Sequence, residues 1–184
     1  MTPANPAVNI FYPMSEFYES SRAPQPQIIQ VQGPDIPEPY RSLLVHDRDM
    51  TSTLSEAYQR EMRLRILRRV LDHDVFAREI VLEIDGSGKA VVFAAIKIYL
   101  DLFPPEPKRL ILEGKQPFGA ILHGQRIAHI SRPNAFLQVI ADDTISQALG
   151  LTGHPVLYGR QSALLNSSEN PLARVLEILP PSEP

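Results

Sequence analysis

Residues 75–98 have the sequence VFAREIVLEIDGSGKAVVFAAIKI, in which two apolar, β-branched runs flank the polar segment Asp-Gly-Ser-Gly at 85–88. This pattern predicts an antiparallel β-hairpin with a short glycine-containing turn. Successive residues of a strand point to opposite faces of its sheet. The alternation therefore assigns each side chain of the hairpin to one of two faces, and the charged residues indicate which face is dry.

Arg78 falls on the apolar face of the first strand, beside Ile80 and Leu82, while Glu79 and Glu83 mark the other face as the solvent-exposed one. Burying an unpaired guanidinium group carries a large free-energy penalty. Arg78 is therefore expected to form a structural ion pair, to reach water past the strand end, or to bind a ligand carboxylate through its two-pronged donor geometry.

Glu177 is a second lone charge on an apolar strand face. It shares that face with Val175 and Leu179 in a strand predicted at 172–179. Its pKa should rise on burial unless a cation or a hydrogen-bond donor compensates. Arg78 and Glu177 could pair with each other, or both could line one cavity, where Arg78 holds an anion and Glu177 holds a hydroxyl group.

The rest of the chain alternates short helical and extended segments. Helices are predicted at 41–46, 51–60, 106–113, 118–123 and 142–149, and further strands at 62–71, 127–140 and 156–165. Strands that are connected mainly as meanders, with helices between them, predict an α+β domain on a mainly antiparallel β-sheet with interspersed short helices. This domain is expected to span residues 41–184.

Residues 1–40 differ in composition from the rest, since they hold eight of the 18 prolines. Proline removes backbone donors and interrupts regular structure. The segment is predicted to be a poorly ordered N-terminal arm with a free tail as its default state, although Phe11, Tyr12, Phe17 and Tyr18 could dock part of it on the domain.

Composition argues against several classes of function. The net charge of −3 and the isoelectric point near 5.9 disfavour a nucleic-acid partner. No apolar run reaches the roughly 18–20 residues of a membrane span, and the N-terminus lacks the pattern of a secretory signal. The chain has no cysteine, so disulfides, thiolate metal sites and thiol nucleophiles are excluded, and a cytoplasmic location is expected.

Other motifs carry little chemistry. The histidines show no metal-ligand spacing, and each is expected at the surface or in a satisfied core position; they are His46, His73, His123, His129 and His154. No phosphate-binding loop or nucleophile elbow is present. Arg160, which ends the segment Leu-Tyr-Gly-Arg at 157–160, is either a second anion contact in the substrate site or a surface arginine.

The order of these residues resembles the chorismate pyruvate-lyase family. The matching pieces are Asp49-Met50-Thr51, Arg78-Glu79-Ile80, Pro117-Phe118-Gly119, Leu157-Tyr158-Gly159-Arg160, and Pro171-Leu172 followed by Glu177-Ile178-Leu179-Pro180. Each piece is short, but together they follow the family's order and spacing over residues 41–181.

The resemblance implies an antiparallel sheet around an internal ligand cavity, and a lyase that removes pyruvate from chorismate to give 4-hydroxybenzoate without a cofactor or a metal. Such a product serves ubiquinone or aromatic secondary-metabolite biosynthesis. The resemblance also implies that Arg78 and main-chain groups of Met50 and Phe118 hold the ring carboxylate. Glu177 would meet the ring hydroxyl as a hydrogen-bond partner or proton-transfer group. Phe118 stands where leucine is expected.

A non-catalytic binding module is the alternative. The same fold resembles the effector-sensing domains of a family of bacterial transcription regulators, so the chain could bind an aromatic acid without transforming it. A regulator would also need a DNA-binding helix-turn-helix, and residues 1–40 are too rich in proline to form one. In both cases the expected partner is a small aromatic acid, and neither a nucleic acid nor a membrane.

Overall fold

The computed structural model describes residues 9–181, and in this part of the chain it contains six α-helices and seven β-strands. The helices are α1 Met14–Ser21, α2 Tyr40–Leu44, α3 Met50–Tyr58, α4 Pro105–Glu113, α5 Phe118–Gly124 and α6 Asp143–Leu149. The strands are β1 Ile28–Val31, β2 Met62–Asp72, β3 Val75–Ile84, β4 Ala90–Tyr99, β5 Ile130–Ile140, β6 Val156–Leu165 and β7 Pro171–Leu179. No helix within residues 9–181 is long and apolar enough to cross a membrane.

All seven strands form one antiparallel sheet in the order β1-β5-β6-β7-β4-β3-β2. The predicted hairpin is its β3–β4 pair, in which Arg78 lies opposite Ile96. Strand β4 also pairs with β7, where Ala94 lies opposite Glu177. The prediction of an α+β domain on a mainly antiparallel sheet is confirmed.

Helices cover both faces of this sheet, which therefore separates two hydrophobic cores. Helices α2 to α5 pack on the face that carries Arg78 and Glu177, where Leu54 is fully buried. Helices α1 and α6 pack on the opposite face, over Val81 and Phe93. Because helices cover both faces of β3 and β4, most side chains on both faces of these strands are apolar.

The prediction that Glu79 and Glu83 mark a solvent-exposed face is wrong. Both side chains are buried on the face that α1 and α6 cover. Glu79 accepts two hydrogen bonds from the Arg68 guanidinium at 2.7 and 2.9 Å, and Glu83 pairs with Arg65. Helices α1 and α6 thus shield the two carboxylates from water, and arginines of the edge strand β2 neutralise their charges.

The structure departs from the prediction of a poorly ordered arm at residues 1–40. Residues 1–8 lie outside the described part of the chain, but residues 9–40 contain both α1 and β1. Strand β1 is hydrogen-bonded to β5 at one edge of the sheet. The domain therefore includes this segment and does not begin at residue 41.

Apolar side chains explain why this segment docks. Helix α1 and the turn before it place four of them in the core on the second face of the sheet, namely Phe11, Met14, Phe17 and Tyr18. Burying a side chain of this size stabilises the fold by about 1.5–3 kcal/mol. The prolines do not prevent this packing, because Pro13 precedes α1 and both Pro24 and Pro26 lie between α1 and β1.

The docking can be tested at Gln161, whose side-chain amide donates to the main-chain carbonyls of Asn9 at 2.8 Å and Tyr12 at 2.7 Å. Gln161→Met should lower the free energy of unfolding by about 1–3 kcal/mol, because the Tyr12 carbonyl loses the Gln161 donor and the Asn9 carbonyl keeps only the N–H of Tyr12. Urea denaturation measures the change. Gln147→Met, at an exposed position on α6, should change stability by less than about 0.5 kcal/mol. Equal effects of the two substitutions would contradict the docked arrangement.

Candidate functional site

Arg78 is completely buried, yet its guanidinium group has no hydrogen-bond partner within residues 9–181. This holds for all three of its nitrogens, Nε, Nη1 and Nη2. Burial lowers the pKa of Arg78 to about 10. The side chain still carries its proton at neutral pH. The core beside the sheet therefore contains a positive charge that forms no ion pair or hydrogen bond with residues 9–181.

Arg78 lines a cavity between the sheet and the N-terminal ends of α3 and α5. The cavity has a volume of about 40 Å³, which is room for about three water molecules. Strands β3, β4 and β7 give it an aliphatic wall that includes Ile80, Ala94, Ile96 and Val175. The guanidinium thus faces a small space with mostly apolar surroundings.

Four of the five predicted site residues line this one cavity, namely Arg78, Glu177, Met50 and Phe118. Met50 and Phe118 are the first residues of α3 and α5. The first N–H groups of a helix have no partner within that helix. Main-chain donors therefore accompany the charged side chain, while the roles of these residues toward a ligand stay predictions.

Two local features set the contact between α3 and α5. Asp49 caps α3, since its Oδ1 accepts a hydrogen bond from the N–H of Ser52 at 2.9 Å. Gly119 of α5 faces this cap, and a side chain there would collide with Asp49 Oδ1 and with Thr51. The glycine in the segment Pro-Phe-Gly thus lets α5 approach α3 closely enough for both helix starts to reach the cavity.

Glu177 pairs with Arg160, so the interpretation of an ion pair between Arg78 and Glu177 is wrong. Nε of Arg160 donates to Oε2 of Glu177 at 2.9 Å across the β6–β7 pair. Both side chains are buried. Burial raises the pKa of Glu177, and the neighbouring guanidinium of Arg160 opposes that rise.

Arg160 lies behind Glu177 and not in the cavity wall. Its terminal N–H groups donate to the main-chain carbonyls of Leu44, His46 and Arg48 at 2.9–3.1 Å. Leu44 ends α2, and His46 and Arg48 belong to the loop that leads from α2 into α3. The alternative of a surface arginine is wrong, because Arg160 ties this loop to the sheet from a completely buried position. Its role as a second anion contact stays a prediction.

Asp49 also meets two histidines that the sequence pattern left unconnected. Its Oδ2 lies 2.9 Å from Nε2 of His123 and 3.5 Å from Nε2 of His129. One ligand atom from each of the three residues lies within 4.8 Å of the other two, a spacing that a shared metal ion requires. The histidines follow Asp49 by 74 and 80 residues. Only the packing of α5 against α3 could have indicated this cluster.

Comparisons with known proteins identify the fold. No family model and no curated protein matches the sequence. The ligand-binding domain of a protein described as a GntR-family transcriptional regulator from Bordetella bronchiseptica superposes with a TM-score of 0.52 at 12% identity, over 66% of this chain and 87% of that one. The effector domain of PhnF from Mycobacterium smegmatis gives 0.54 at 13% identity, over 72% and 88%. The fold is the chorismate-lyase-like fold of GntR effector domains, as predicted.

Proposed function

We propose that this domain binds a small aromatic acid in the cavity at Arg78, as an effector-binding module does. The observation that carries the proposal is the buried Arg78 guanidinium, which lacks a partner within residues 9–181. Such a charge is costly unless an anion compensates it. A ligand carboxylate can accept two parallel hydrogen bonds from the guanidinium. The solved structures of the same fold, a ligand-binding domain and an effector domain, support this role.

The cavity walls favour a ring on the acid. Ligand sites typically combine apolar walls with a few polar groups that fix the orientation of the ligand. Ile96 and Phe118 supply apolar surface, and Glu177 is a second polar group in the same cavity. Arg78 and Glu177 stand on β3 and β7, on either side of β4. This separation suits an acid whose carboxylate and hydroxyl lie at opposite ends of a ring.

The site has to open to accept such a ligand. Its volume of about 40 Å³ is well below the roughly 150 Å³ of an apolar cavity that binds benzene. Helices α3 and α5 form the side of the cavity away from the sheet, and both are short. Outward movement of these helices is the route by which the cavity can enlarge.

Chorismate lysis is the second candidate function. The observation that favours it is the position of Glu177 in the same cavity as Arg78, with a pKa that burial raises. A carboxyl group of raised pKa can exchange a proton with a ring hydroxyl. Because loss of the enolpyruvyl group aromatises the ring, the residues would mainly bind the dianion, orient it and exclude water.

Binding of 4-hydroxybenzoate should raise the melting temperature, whereas 4-hydroxybenzyl alcohol, which lacks the carboxylate, should not. A ligand at 100 times its Kd stabilises the folded state by about 2.7 kcal/mol. For a domain of this size that corresponds to roughly 5–10 °C. Differential scanning fluorimetry with both compounds at equal concentrations measures the shift. Equal shifts with both, or none with either, would contradict a carboxylate site.

Incubation with chorismate then separates the two candidate functions. Chromatography detects hydroxybenzoate, and a coupled assay detects pyruvate. Formation of both products at micromolar protein, with a lower rate in Glu177→Gln, would identify a lyase. Glutamine keeps an acceptor for Arg160, so this variant should fold. Binding of the acid without product formation would identify a binding module.

A further inference from the structure

The Asp49 cluster consists of Asp49, His123 and His129, and it lies where the start of α3, the end of α5 and the loop before β5 meet. The side chains of Asp49 and His129 are both 7% exposed, whereas that of His123 is 57% exposed. The two imidazole rings pack edge to face with their centroids 5.2 Å apart. Asp49 and His129 are thus buried in the protein, and solvent reaches the cluster at His123.

His129 faces the Asp49 carboxylate with its Nε2 atom. Its Nδ1 lies 2.8 Å from the carbonyl oxygen of Ile127, which can only accept, so Nδ1 carries the proton. In the neutral ring the Nε2 lone pair then faces Asp49 Oδ2, another acceptor, at 3.5 Å. Two hydrogen-bond acceptors this close together repel each other. A second proton on the imidazole ring, or a cation bound between Nε2 and Oδ2, would remove this repulsion.

His123 and Ser52 complete the surroundings of the carboxylate. Nε2 of His123 lies 2.9 Å from Asp49 Oδ2 and 2.7 Å from the Ser52 hydroxyl, which itself lies 2.9 Å from Asp49 Oδ2. The Ser52 N–H holds the other carboxylate oxygen, Oδ1. Metal ligands are typically oriented by outer hydrogen bonds of this kind, an imidazole to a carbonyl and a carboxylate to an N–H.

The two separations from Asp49 Oδ2 are close to those of metal ligands. Zn²⁺ binds imidazole nitrogen and carboxylate oxygen at about 2.0–2.2 Å, so two ligand atoms of a tetrahedral site lie roughly 3.3–3.4 Å apart. The distances of 2.9 and 3.5 Å from Asp49 Oδ2 bracket this value. We propose that the Asp49 cluster binds a divalent transition-metal ion, and Zn²⁺ is the ion to test first, because two imidazoles and one carboxylate are a ligand set of catalytic zinc sites.

The proposed ion would stand beside the cavity, because Asp49 belongs both to the cluster and to the cavity wall. A zinc ion with three protein ligands keeps a fourth position for water or for an oxygen of a ligand. The ion would also join α3 to α5. Since these helices must separate to enlarge the cavity, metal binding would oppose that opening, and this connection alone rests on the proposed function.

Isothermal titration of the untagged, chelator-treated chain with Zn²⁺ tests the site and should give one ion per chain, with no binding of Mg²⁺. His123→Ala should weaken zinc binding at least tenfold, because loss of an outer hydrogen-bond partner alone reduces metal affinity about 10–100-fold. His154→Ala is the matched control. His154 is also 57% exposed and also pairs with a carboxylate, that of Asp143 at 2.9 Å.

Zinc binding that His123→Ala weakens and His154→Ala leaves unchanged would support the proposal. No binding at micromolar protein, or equal loss in both variants, would overturn it. A visible absorption spectrum of tetrahedral Co²⁺, present in the unmodified chain and absent in His123→Ala, gives a second readout. Binding of 4-hydroxybenzoate is measured on the metal-free protein, so a failure of zinc binding does not count against the carboxylate site.

Discussion

Arg78→Met should stabilise the ligand-free protein by about 1–4 kcal/mol, because it replaces an uncompensated buried charge by an apolar side chain of similar length. Burial lowers the pKa of Arg78 to about 10, below the value of about 12.5 in the unfolded chain. The charged form is therefore disfavoured in the folded state, and this penalty is fully present at every pH below about 10. Urea denaturation at pH 7 measures the gain.

The same substitution should remove affinity for aromatic carboxylates. Loss of one partner of a buried, charged hydrogen bond costs about 2–5 kcal/mol, which raises Kd at least about 30-fold. Isothermal titration with 4-hydroxybenzoate measures this loss. Arg69→Met is the control, since Arg69 lies opposite Arg78 on β2 but is exposed. It should change stability by less than about 0.5 kcal/mol and leave binding intact. A destabilised Arg78→Met that still binds the acid would show that Arg78 has a structural role.

Arg160→Met should have the opposite effect and destabilise the protein by about 3–5 kcal/mol. It leaves Glu177 buried without its cation and removes one donor each from the main-chain carbonyls of Leu44, His46 and Arg48, at the end of α2 and in the loop before α3. Because that loop leads into the cap of α3, ligand binding should weaken as well. Urea denaturation and isothermal titration measure the two effects.

An exposed ion pair on the neighbouring strand provides the control for this substitution. Arg132 of β5 pairs with Glu169 at 2.7 Å, and both side chains are more than half exposed. Arg132→Met should therefore change stability by no more than about 1 kcal/mol. Adding Glu177→Gln to Arg160→Met should recover part of the loss, because an amide is buried at lower cost than an unpaired carboxylate. A loss in Arg160→Met no larger than that in Arg132→Met would contradict the buried network.

Arg78 and Arg160 are both completely buried, yet Arg78 is expected to lower the stability of the ligand-free protein and Arg160 to raise it. Arg160 has a carboxylate and three carbonyls around it, whereas Arg78 has no partner in the described part of the chain. A satisfied guanidinium holds the fold together. An unsatisfied one reduces stability, and a bound ligand can recover that free energy.

Local patterns were enough to predict two of the charged side chains that are buried on the cavity side of the sheet. Arg78 and Glu177 interrupt apolar alternation on their strands, and the structure buries both. The start of α6 after Asp142 likewise follows from a residue that accepts a hydrogen bond from a nearby N–H, whereas α3 begins one residue before the predicted position 51 and is capped by Asp49. These features depend on neighbours within about four positions, so a single sequence contains the information.

Tertiary packing, and not the local sequence, decided which residues these side chains contact. Glu177 meets Arg160 through the register of β6 and β7, which a bulge near Leu164 shifts. Glu79 is buried because α1 closes the second face, and His123 reaches Asp49 because α5 packs on α3. Strand alternation assigns a side chain to a face, but strand order, register and helix layers decide what it meets there. The tertiary structure gives the Arg78 guanidinium no hydrogen-bond partner within residues 9–181, and the proposed ligand site rests on this missing partner.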